Sequence, residues 1–138
     1  MVGGECGAEM SAERSSRQRV IHQWAADTFG QEVAWNREER VLRFIEEAIE
    51  LAQAEGLPVE RLIETVRFVY AKPQGSTVRE VGQVGVTLLA FCEVAGIDAD
   101  IEERAEMLRV LALDREHFRA RHNAKAAAGI STGKVPEK

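Results

Sequence analysis

The chain lacks any apolar run near the roughly 20 residues that span a bilayer, and its opening stretch MVGGECGAEMSAERSSRQR carries no hydrophobic segment of signal-peptide type. A cytoplasmic protein with no membrane partner is the expectation. Cysteine is scarce: Cys6 sits in a polar stretch and Cys92 in an apolar one, so no internal disulfide is expected and a reducing compartment fits. Positive charge is also short, with 18 Lys and Arg against 23 Asp and Glu, net −5 and a pI near 5.3. That balance argues against a nucleic-acid duplex, whose affinity comes from phosphate neutralisation. No internal repeat of solenoid period is present. His22, His117 and His122 have no partners at metal-ligand spacing, and read as exposed or packing residues.

What is present fits one helical domain. With 138 residues, 45% hydrophobic and 30% charged, the chain is long enough to bury about two-thirds of its unfolded surface without staples. Residues 1–16 and 126–138 are rich in small and charged residues without periodicity, and are expected to be a flexible leader and tail around a domain over 17–125. Apolar spacings of three and four predict a first helix over Arg17–Phe29, stopped by Gly30. A second runs from Asn36 or Glu38 to Glu55, ended by Gly56. A third covers Pro58–Ala71 with Leu62, Ile63, Val66, Val69 and Tyr70 inward, ahead of the turn Lys72-Pro73-Gln74-Gly75. Ser76 or Thr77 caps a fourth, whose body Val81–Ala95 is apolar nearly all round and is expected to be buried on most sides. Gly82 and Gly85 within it suggest close packing. Asp98 caps a fifth helix reaching Asn123. The fold class is all-α, with no credible strand.

Acids mark the second and fourth helices. Val41, Ile45, Ala48, Ile49 and Ala52 share one face of the second, whereas Arg43, Glu46, Glu47 and Glu50 share the other. Taken by itself such a stripe reads as a solvated face. Glu80, Gln83 and Thr87, however, share one side of the otherwise greasy fourth helix, where Glu80 also suits an N-terminal cap. Carboxylates converging in a low-dielectric core repel unless a cation neutralises them, so Glu47, Glu50 and Glu80 point to a divalent metal held by hard oxygen ligands.

The order Glu46-Glu47-x-x-Glu50, a spacer, then Glu80-x-x-Gln83 heading an apolar helix resembles the MazG-like all-α nucleoside triphosphate pyrophosphohydrolases, over about residues 18–125. The resemblance implies a four-to-five-helix bundle completed by oligomerisation as a homodimer or homotetramer. It implies Mg²⁺, with Mn²⁺ as a substitute, and cleavage of a nucleoside triphosphate to the monophosphate and pyrophosphate. Glu46, Glu47, Glu50 and Glu80 would then be catalytic, with Glu47, Glu50, Glu80 and Gln83 at the metal. Gln83 departs from the family, which has an aspartate there. A compensating acid such as Glu46, a one-metal site and a fold that no longer turns over all accommodate it.

For the substrate, Arg43 could reach a phosphate or pair with Glu39 or Glu47 along its helix. Arg119 and Asn123, at i and i+4, resemble the family's phosphate-contacting segment. In this family the first helix supplies nucleobase contacts, which fall on Gln23, Trp24 and Asp27, although Trp24 at helical spacing also reads as core. The phrases FGQEVA, RFIEEAIEL and EVGQVGVTLLA look most like small phage and prophage members, implying dGTP or dATP as substrate and, for a viral chain, the host cytoplasm. The alternatives are a non-catalytic helical binding or oligomerisation module with a degenerate metal site, and a pyrophosphohydrolase of another nucleotide.

Overall fold

A computed structural model describes residues 3–132. Among them the protein is all-α: α1 (Gly3–Phe29), α2 (Gln31–Trp35), α3 (Arg37–Ala54), α4 (Val59–Tyr70), α5 (Thr77–Ala95), α6 (Ala99–Ala112) and α7 (Arg115–Ala127), with no strand. None of these helices is long and apolar enough to cross a membrane. The chain divides into two compact units, one formed by residues 1–45 and 111–138 and the other by residues 46–110.

In the first unit α1 begins upstream of the expected Arg17, where Glu5, Ala8, Glu9, Met10, Ala12 and Glu13 are good helix formers that composition alone assigned to a leader. Gly30, at φ 90°, lets the backbone reverse into the short α2, which the sequence reading missed. Ala34 of α2 packs with Ala25 and Ala26 of α1, all three buried. Small side chains there let the two backbones approach closely. Trp24 and Phe29 pack against that cluster, and Trp24 meets Phe29 and Phe118 edge-on at centroid distances of 5.6 and 4.8 Å. Edge-to-face pairing is the arrangement the ring quadrupoles favour, and it docks α7 on the end of α1. Trp24 and Phe29 are the larger apolar side chains packed on this small core.

The expected single helix from Asp98 to Asn123 is two. α6 ends at Ala112, and Asp114 starts α7 by accepting from the Glu116 amide at 3.0 Å. Asp98 does the same for α6, accepting from Asp100 and Ile101 amides at 3.0 Å. Each aspartate satisfies donors left over in a first helical turn. The second cap was overlooked because apolar spacing continues across Leu111 and Leu113.

In the second unit the end of α3, both ends of α4 and α5, and the start of α6 lie where the periodicity and stop signals put them, within a residue or two. The expected burial does not follow. Ile63, Val66, Val69 and Tyr70 of α4 are exposed, as are Val81, Val86, Leu89 and Val94 of α5, with Cys92 the buried residue of that helix. Ile101 and Leu108 of α6 are exposed as well. Hydrophobic periodicity reports which face a helix is built to cover, and a single chain leaves these faces uncovered.

Candidate functional site

α3 carries Glu46, half-buried, with Glu47 and Glu50 exposed one turn apart. α5 opens on Glu80 and presents Gln83 one turn later, both exposed. All five residues belong to the second unit. Glu80 lies in the first turn of α5, where its amide donates to the Ser76 carbonyl at 2.9 Å, and the Ser76 side chain makes no cap bond. The Glu80 carboxylate folds back over Gly75 so closely that a Cβ at that position would collide with it. Negative charge there also complements the positive end of the helix dipole. Among the described residues no group of three His, Cys, Asp or Glu side chains is placed to hold a metal ion. The structure therefore brings Glu46, Glu47 and Glu50 onto one helix and Glu80 with Gln83 onto another, without gathering the two sets in one chain.

Arg109 of α6 is a neighbour the sequence did not single out. It donates to Glu106 at 2.8 Å, which raises the guanidinium's affinity for its proton, and the charge of Glu47 adds to that effect. A cation therefore lies within electrostatic reach of one of the candidate acids. The i, i+3 pair Glu106/Arg109 was its signal.

The remaining candidates belong to the first unit. Gln23 donates to Asp27 at 2.9 Å across one turn of α1, and Arg115 lies 3.7 Å from the Asp27 carboxylate. Trp24 stands in the aromatic cluster described above. Arg119 donates from Nε to the Thr28 carbonyl at 2.6 Å and from Nη2 to the Asp27 carbonyl at 3.5 Å, with Nη1 3.2 Å from Glu116. Those carbonyls are among the last of α1, the groups a helix end leaves without intrahelical donors. Arg119 thus caps α1 from α7, a role the resemblance did not suggest. Asn123, one turn on, is half-buried.

The most completely enclosed charge is one that the sequence reading treated only as a pairing option for Arg43. Glu39 is fully buried. Its amide donates to Asn36 Oδ1 at 3.1 Å, so Asn36 caps α3. Its carboxylate lies 3.1 Å from Arg43 Nε and 3.5 Å from His122 Nδ1 of the buried His122. It accepts from Ser131 Oγ at 2.9 and 2.8 Å, from the Thr132 amide at 2.8 Å and from Thr132 Oγ1 at 2.9 Å. Arg43 Nη2 in turn donates to the Ile130 carbonyl. Burial alone would raise the pKa of this carboxyl, but the bonds from Thr132 and Ser131 and the charge of Arg43 outweigh it and hold the group below its ordinary value. Ser131 and Thr132 of the expected tail thus contact Glu39; residues 133–138 lie outside the described part. Asn36-x-x-Glu39 has the form of a capping box, and that was the legible hint.

The chain matches no protein-family model, no curated protein and no solved structure.

Proposed function

We propose that the chain is a Mg²⁺-dependent pyrophosphohydrolase of the MazG-like kind, splitting a purine deoxynucleoside triphosphate, dGTP or dATP, into monophosphate and pyrophosphate. The observation that supports this reading is the occurrence, within one unit, of both Glu46-Glu47-x-x-Glu50 on α3 and Glu80-x-x-Gln83 at the head of α5. Carboxylate and amide oxygens are the donors a hard divalent ion takes, so the donor set fits, with Glu47, Glu50 and Glu80 as ligands and Gln83 as a weaker fourth. Bound there, the ion would neutralise phosphate oxygens. Glu46 is the acid adjoining the ligands and serves as proton acceptor for the attacking water. Arg109, paired with Glu106 and within electrostatic range of Glu47, adds positive charge for the leaving pyrophosphate.

Assembly completes the site in this reading. The faces of α4, α5 and α6 leave large apolar side chains from Val84 at 39% to Val94 at 89% exposed, more apolar surface than a lone chain usually leaves open. Covering them with a second copy supplies the low-dielectric surroundings in which the acids of α3 and α5 converge on one ion. The protein acts as a homodimer or homotetramer.

The test is incubation of the purified chain with each dNTP and Mg²⁺, followed by detection of monophosphate and pyrophosphate. Turnover that falls at least a hundredfold in Glu47→Gln is the expected result, on the scale of losing a main electrostatic contributor. Absence of turnover with every nucleotide, with Mn²⁺ as well as Mg²⁺, removes the proposal. The uncovered apolar faces favour one other reading, a non-catalytic module that binds or oligomerises through them. That reading predicts assembly without any response to metal.

A further inference from the structure

Ser131 Oγ, Thr132 N–H and Thr132 Oγ1 all close on the one carboxylate of Glu39, from more than 90 residues away in sequence. In the same step of chain the Ile130 carbonyl takes a donor of Arg43. Gly129, at φ 78°, supplies the left-handed turn that reverses the backbone after α7, with the Ile130 amide donating back to Lys125 at 3.0 Å. Rotation about Gly129 is the movement that would release the segment while leaving α7 intact behind it.

A guanidinium offers five donors in a planar fork that matches a phosphate in two-point fashion. A main-chain carbonyl is a neutral acceptor that meets the guanidinium at one point, whereas a phosphate meets it with full negative charge through two parallel bonds. Ile130 holds its place on Arg43 because the next two residues are anchored on Glu39, a group that would lose three donors if they left.

We propose that Ile130–Thr132 is a displaceable autoinhibitory strap: docked on Glu39 it keeps the Ile130 carbonyl on Arg43 and so withholds that arginine from phosphate, and a polyphosphate that takes Arg43 undocks it. The proposal rests on the reading above only in taking a polyphosphate-bearing ligand as what the chain binds. Linkage makes the effect reciprocal, since whatever weakens the strap strengthens polyphosphate binding by the same factor.

The test uses the full chain and inorganic tripolyphosphate without metal. Ser131→Ala combined with Thr132→Pro deletes the strap's hydroxyl and amide donors to Glu39. Calorimetry should show this variant binding tripolyphosphate about tenfold more tightly than the wild type, as expected when a mostly closed site is opened. Adding Arg43→Gln should abolish the gain. Equal affinity with and without the strap's donors overturns the proposal. In the wild-type chain, hydrogen exchange at the Thr132 amide should accelerate on saturation with tripolyphosphate, a readout independent of whether the variant folds well. Unchanged exchange overturns the proposal too. Turnover of a dNTP with neither strap effect sinks the strap and leaves the enzymatic reading standing; both strap effects without any turnover do the reverse.

Discussion

Ser131 Oγ lies 2.9 and 2.8 Å from the two carboxylate oxygens of Glu39, so a single hydroxyl near one end of the chain bridges both edges of the most deeply buried acid. The bond, with its neighbours from Thr132 and Arg43, outweighs burial and lowers the pKa of this carboxyl. Glu39 is held below its ordinary pKa in the folded state, so its stabilising contribution is fully present above the unfolded glutamate value of about 4.3 and is lost as pH falls through the lower folded value. Urea unfolding between neutral and acid pH should therefore show the wild type losing stability in that window. Glu39→Gln should be less stable at pH 7 by about 3 kcal/mol, the scale of breaking a buried charged pair, and flatter toward acid.

Arg119 ties α7 to the last carbonyls of α1. Arg119→Ala should lower stability by about 1–2 kcal/mol, since bonds from a charged donor are lost. Arg119→Lys should recover only part, because an ammonium has no planar fork to span two carbonyls. Thermal melts without any nucleotide check this, and a melt unchanged in Arg119→Ala would contradict the capping role.

The apolar faces of the second unit invite a direct measurement. Val86 and Val94 are 67% and 89% exposed, so replacing either by Glu should change the stability of a lone chain by no more than about 0.5 kcal/mol. If a second copy covers them, Val86→Glu with Val94→Glu should instead convert an assembled species to single chains in sedimentation at micromolar concentration and depress the melting midpoint.

Metal binding to the folded state raises the melting midpoint by mass action. Mg²⁺ at about 100 times its dissociation constant should stabilise the wild type by about 2.7 kcal/mol. Glu47→Gln and Glu80→Gln should abolish the shift while leaving the metal-free melt near that of the wild type, because both side chains are exposed. Identical metal responses in wild type and variants would place the ion elsewhere.

The helices were legible in the sequence because their signals are local. Gly56, Pro58, Ser76 and Gly96 stand at or beside the ends of α3, α4 and α5, as read. The α6–α7 break was missed because a side-chain cap at Asp114 interrupts an apolar spacing that otherwise continues. Burial was the least legible property. The pattern on α4 and α5 says what those faces are suited to cover, and nothing local says whether the cover comes from the same chain. Glu39 shows the converse: a polar residue at the start of an acidic helix reads as solvated, and contacts with His122, Ser131 and Thr132, far along the chain, help enclose it. Of the candidate acids, the sequence located their helices and turns; their mutual distances depend on packing that no spacing encodes.

Gly82 and Gly85 of α5 have open space where a Cβ would stand. Alanine at either position should therefore strengthen a solitary helix by about 1 kcal/mol. A methyl group at the same positions would jam two backbones pressed together there. The sign of that one substitution, gain or loss, reads out whether this helix spends its working life with a neighbour against it.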